Sequence, residues 1–164
     1  MAWRTRTRKQ ADERGQVTHQ FTDMAVDKSI PRGYRNNNPL NMRISSSAWQ
    51  GKIPVENNTD GAFEQFISMA YGYRAAMKLL GNYVTKYKCD TLAKMISRWA
   101  PSNENNTDGY ISRVCKTTGF TPDTHISPQN HDQMTSLAYA MSLVENGTKM
   151  LPDRSAIEEG WQLL

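Results

Sequence analysis

Cysteine is scarce in this 164-residue chain, long apolar runs are missing, and neither sign of charge is in large excess. The two cysteines, Cys89 and Cys115, fall in segments of helical pattern with no paired spacing. That suggests neither a disulfide framework nor a metal site, so reduced, buried thiols and no metal or other cofactor are expected. No apolar stretch approaches the ~20 residues needed to cross a bilayer, and the N-terminus lacks the apolar centre of a secretory signal. No membrane span is expected, and any target outside the cytoplasm must be reached by another route. Seven prolines and ten glycines are too few to suggest disorder, which leaves one domain with a core drawn from the 38% of apolar residues. The net charge is only +4. Its one concentration is Arg4, Arg6, Arg8 and Lys9, interleaved with Thr5 and Thr7. Residues 1–28 therefore read as a polar, basic arm that stays mobile unless a partner orders it, and residues 29–164 as the domain. Beyond that arm nothing favours nucleic acid, which is not an expected partner.

The domain carries helical periodicity through most of its length. Phe66, Ile67, Ala70, Tyr73, Met77, Leu80, Val84 and Tyr87 recur at spacings of three and four, predicting the longest helix from Phe63 onward. Thr91 can cap a short helix with Leu92, Met95, Ile96 and Trp99 on one face, stopped by Pro101. Asn106 or Thr107 can cap another with Tyr110, Ile111, Val114 and Cys115, and Ser155 to Leu164 forms a short amphipathic tail. Residues 44–62, with Trp49, Gly51 and Pro54 among polar neighbours, suit a short hairpin or loop over the core. Helices joined by short loops with little strand signal predict a mainly α domain.

One of these helices ends unusually. Between Asp132 and Glu145 the apolar positions Met134, Leu137, Ala138, Met141 and Val144 form a stripe that Glu145 continues, immediately before Asn146-Gly147. The negative end of the helix and burial both disfavour a carboxylate, so both should raise its pKa, as a general acid near neutral pH requires. A glutamate that frays into solvent before a glycine cap fits the spacing equally well.

Two further features stand out. Tyr34-Arg35-Asn36-Asn37-Asn38-Pro39-Leu40-Asn41-Met42-Arg43 has the composition of an ordered, irregular loop bonded to its own backbone. The hexapeptide Glu-Asn-Asn-Thr-Asp-Gly occurs at Glu56–Gly61 and again at Glu104–Gly109. A calcium loop would need an acid at its twelfth position, where counting from Glu56 and Glu104 reaches Ile67 and Cys115. Helix capping explains both copies better.

Arg32 to Arg43, Trp49-Gln50-Gly51, Asp60 to Phe66, Tyr71 to Ala75, Arg98-Trp99-Ala100-Pro101, Glu104-Asn105 with Thr107 and Tyr110, and the Ala140 to Gly147 helix end occur in order. In these motifs the chain resembles a family of phage and prophage proteins labelled structural protein P5 or virion-associated lysin, over roughly residues 31–164, with Leu40 where that family usually has glycine. The resemblance implies a lysozyme-like, lytic-transglycosylase-like helical domain acting on peptidoglycan. In that superfamily the helix ending in the catalytic glutamate precedes an Asn- and Gly-containing loop; here the loop comes first, which implies a circularly permuted order. On this basis Glu145 is the candidate acid, Glu104 and Asp60 lead Glu56 and Glu64 as candidates for a second carboxylate, and Asn37, Asn38, Asn41, Trp49 and Tyr110 are candidates for holding sugar. Arg35 and Arg43 could meet the muramic carboxylate of the glycan or pair with helix-end groups; Trp99 reads as core. The implied partners are peptidoglycan and, through the basic arm, other virion proteins. The implied setting is a virion, or delivery to the periplasm and cell wall.

Two other classes compete. A thiol peptidase or amidase would pair Cys89 or Cys115 with His125 or His131. A non-catalytic virion or wall-binding protein would need no acid at all.

Overall fold

The computed structural model describes residues 27–164. All but the last two residues of the basic arm therefore lie outside the described residues. Among those described are six α-helices: α1 (Arg32–Arg35), α2 (Met69–Tyr87), α3 (Leu92–Trp99), α4 (Thr107–Thr118), α5 (His131–Asn146) and α6 (Arg154–Gln162). One 3-10 turn, Val55–Asn57, and isolated antiparallel bridges complete the regular structure. The expected mainly α class holds.

Side-chain caps fix most helix starts. Ser68, Thr91, Asn106, Asn130 and Asp153 each accept a hydrogen bond from a backbone N–H in the first turn of α2, α3, α4, α5 and α6 respectively. The longest helix starts later than its apolar spacing suggests, at Met69 rather than Phe63. Residues 63–66 are instead held extended: Glu64 N donates to Met42 O at 2.9 Å, Phe66 N to Asn36 O at 3.0 Å, and Ile53 N to Gln65 O at 2.8 Å. With the bridges Arg43 to Phe63 and Lys52 to Phe66, the segment from 43 to 66 doubles back on itself beside the Asn-rich loop. The helix runs unbroken through Gly72, whose residue type disfavours a helix interior. Gly72 serves close approach instead, since a Cβ there would sit 2.0 Å from the Asn37 carbonyl oxygen.

Helix α2 packs chiefly on α6 and also meets α3 and α5, while α5 lies against α4, α6 and α1. Tyr73, Met77 and Leu80 of α2 join Leu92, Met95 and Ile96 of α3 and Met134, Leu137 and Met141 of α5 in one buried cluster. Each such side chain contributes roughly 1.5–3 kcal/mol on burial. Three of them on α5 therefore outweigh the roughly 0.3–1 kcal/mol cost of a carboxylate at the helix C-terminus. The apolar face decides where α5 sits, and Glu145 goes with it.

Candidate active site

Helix α5 ends where Gly147 turns away with φ of 82°, and Asn146 ties that end to the Asn-rich loop. Its Nδ2 donates to Pro39 O at 2.7 Å and to Ser142 O at 3.0 Å. Half-buried, Glu145 thus comes to rest at a groove of about 510 Å³, lined by Asn41, Arg43, Trp49, Trp99 and Glu104 among others. Three neutral donors converge on its carboxylate. Asn41 Nδ2 reaches Oε1 at 3.2 Å, whereas Trp99 Nε1 and Tyr110 Oη reach Oε2 at 3.1 and 3.0 Å. Burial first, and then the charge of Glu145, push the Tyr110 phenol well above its ordinary value, so it remains a donor.

The remaining candidates divide by where their polar atoms point. Glu104 is exposed and lines the same groove as Glu145. Asp60 does not line it. Its carboxylate is gripped by Arg32, with Nε to Oδ2 at 2.8 Å and Nη2 to Oδ1 at 2.7 Å, and it accepts Asn36 Nδ2 at 2.9 Å. The backbone N–H groups of Ala62 and Phe63 complete the set at 3.1 and 3.0 Å. The Arg32 contact, foremost, holds Asp60 far below the usual carboxylate range. Asp60 is thus the anchor of a loop and not part of the groove lining that includes Glu145. Glu64 is buried against Lys52 at 3.0 Å and Ser45 N at 3.1 Å, and Glu56 lies exposed within the 3-10 turn.

Asn37 and Asn38 are also placed otherwise than expected. The Asn37 amide donates to Phe66 O at 3.0 Å, and that of Asn38 donates to Met42 O and Glu64 O, both at 2.9 Å, while accepting Met42 N at 3.0 Å. Both side chains are buried and neither lines the groove, so they shape the loop rather than offer donors to a ligand. Asn41 and Trp49 do line it; Tyr110 stands behind Glu145 instead of facing a ligand.

Periodicity gave only part of the role of Trp99. It packs against the core as its spacing predicted, yet its indole N–H turns to Glu145, and the ring also lines the groove. A tryptophan on the last turn before a proline was the available signal.

The thiol alternative loses its geometry. Among the described residues neither cysteine contacts a histidine: Cys89 Sγ lies 3.6 Å from Tyr87 O, His125 faces Asp90 at 3.7 Å, and His131 is bracketed by Asp132 and Glu158. Burial moves the Cys115 thiol up, away from the reactive thiolate. No group of three or more His, Cys, Asp or Glu side chains among the described residues is placed to hold a metal ion, and no described helix is long and apolar enough to cross a membrane.

Sequence comparison supplies the family. Protein P5 of Pseudoalteromonas phage PM2 is 36% identical over 120 residues, spanning 71% of this chain and 72% of the relative. The chain belongs to the phage P5 family. No protein-family model matches it. The phage link expected from the Asn-rich loop and the Glu145-Asn146-Gly147 helix end is thereby shown. In this member of the P5 family, those two segments are the ones joined by the Asn41 and Asn146 hydrogen bonds.

Proposed function

We propose that this P5-family protein cleaves the glycosidic bond between N-acetylmuramic acid and N-acetylglucosamine in peptidoglycan, with Glu145 as general acid in a lysozyme-like, circularly permuted domain. The observation that carries the reading is Glu145 at the mouth of α5, facing the Asn-rich loop through Asn41 and opening on a groove with Trp49 and Trp99 in its walls. A groove with aromatic walls and a few fixed polar groups suits sugar rings. In the acid role, the proton leaves Glu145 for the bridging oxygen as the bond from that oxygen to the anomeric carbon breaks. The carboxylate left behind then takes a proton from the attacking group. If that group is the sugar's own 6-hydroxyl, a 1,6-anhydro ring closes; if it is water, a reducing end forms. Glu104, exposed in the same groove, is the available second carboxylate for hydrolysis. Association with the virion or delivery to the cell wall, with the basic arm meeting other virion proteins, belongs to the same reading.

Mass spectrometry of purified peptidoglycan treated with wild type, Glu145→Gln and Glu104→Gln tests it. Expected are cleavage products from wild type and a loss of about 10²–10⁴-fold in Glu145→Gln. Anhydro ends that persist in Glu104→Gln identify a one-acid transglycosylase; reducing ends lost in Glu104→Gln identify a hydrolase. Intact glycan strands after treatment with wild type would refute the enzymatic reading.

A second reading is favoured by the three donors that already satisfy Glu145. They would serve equally well as the keystone of a non-catalytic virion or wall-binding protein. In that case Glu145→Gln retains all wall binding and wild type releases nothing.

A further inference from the structure

We infer that Arg43 makes this groove selective for glycans bearing a carboxylate on the lactyl substituent or on the stem peptide joined to it, an inference that rests on the glycan-cleaving reading above. Of the ionisable side chains that line the groove among the described residues, Glu104 and Glu145 are carboxylic acids and Arg43 is the one base. Glu145 draws its hydrogen bonds from the neutral Asn41, Trp99 and Tyr110, so Arg43 is not needed as its counter-ion. The guanidinium lies 5.0 Å from the centre of the Phe63 ring, and the Arg43 to Phe63 bridge fixes the backbone beneath it. Arg32 stacks on that ring too, at 4.4 Å, but its charge is committed to Asp60 through two hydrogen bonds. Arg43 makes no ion pair among the described residues.

A guanidinium presents five donors in a plane and matches a carboxylate with paired hydrogen bonds. An anionic substituent laid along this groove is attracted at Arg43, the one position in its lining with a fixed positive charge. In a glycan of alternating residues only every second sugar carries such a substituent. Arg43 therefore also sets which of the two linkages comes to Glu145.

The test is a binding titration in the Glu145→Gln background with three tetrasaccharides. These are chitotetraose, which is neutral, the alternating muramic acid tetrasaccharide with free lactyl carboxylates, and the same glycan bearing acidic stem peptides. Arg43→Gln is expected to weaken binding of the anionic glycans about tenfold and leave chitotetraose unchanged. Arg43→Lys is expected to retain part of the lost affinity, and Lys116→Gln, which removes a positive charge on α4 away from the groove, none of the loss. An effect confined to the free-lactyl glycan assigns the contact to the lactyl carboxylate itself; one confined to the peptide-bearing glycan assigns it to the stem. Equal weakening for all three sugars, or no weakening, overturns the role of Arg43 while leaving the glycan reading standing. If the parent binds none of the three, both fall.

Discussion

The same six residues, Glu-Asn-Asn-Thr-Asp-Gly, build two different structures in this protein, at 56–61 and at 104–109. They share one local bond, because the third-position asparagine accepts from the glycine N–H in each: Asn58 Oδ1 from Gly61 at 2.7 Å and Asn106 Oδ1 from Gly109 at 3.0 Å. Everything else diverges. In the second copy Asn106 caps α4, Thr107 donates its hydroxyl to the Ala100 carbonyl, and Gly109 continues the helix. In the first, Gly61 takes φ of 88° and no helix follows, although apolar residues at helical spacing come after it. The difference lies outside the hexapeptide, in Arg32 clasping Asp60 and in the loop 36–53 pairing with 63–66. Long-range pairing overrides the local code.

Substitutions at matched positions sharpen that contrast. Asp60→Ala removes the acceptor of five hydrogen bonds, two of them from Arg32, and it should cost about 3 kcal/mol, whereas the exposed Asp108→Ala should stay within about 0.5 kcal/mol; urea unfolding reads both. Asn58→Ala should cost about 2 kcal/mol because it also frees the Phe63 carbonyl and the Asp60 N–H. Its counterpart Asn106→Ala loses a helix cap alone, about 1 kcal/mol. Gly61→Ala should lose about 1 kcal/mol to its positive φ. At Gly109 the helix-propensity gain offsets the crowding of the Asn106 cap, whose Nδ2 would lie 2.6 Å from the new Cβ, so melting temperature should hardly move. Acid gives the finest comparison. Because Asp60 is held below its ordinary value, the stability it contributes is present above roughly pH 4 and is lost as pH falls through its folded value. The gap between wild type and Asp60→Asn should accordingly narrow from pH 6 to pH 3, and a constant gap would show that the ion pair is not its source.

Much of the helical framework was legible because it is locally encoded. Apolar stripes with Thr91, Asn106 and the Glu145-Asn146-Gly147 end mark α3, α4 and α5 within a residue or two. The placement of Glu145 followed from the Met134 to Val144 stripe, since burying that face carries the carboxylate with it. Less legible were the facts that depend on contacts far apart in sequence. The grip of Arg32 on Asp60 spans 28 positions, and the donation of Trp99 to Glu145 spans 46. No local pattern distinguishes an aspartate that will be paired from one that will be free, or an indole N–H that will find an acid from one that will face solvent. The Asn run shows the same limit: its composition announced an ordered loop, but only tertiary contacts reserved Asn37 and Asn38 for the backbone and left Asn41 to the carboxylate.

Asn41 and Glu145 meet across 104 positions of chain. Contacts of such separation pay a large loop-closure entropy and tend to form late in folding, after helices and their near neighbours have assembled. A molecule still short of that closure has its helices but no assembled groove. Topology therefore acts as a delay: Glu145 acquires its Asn41 partner, and the groove its wall, only when the two ends of the domain have come together.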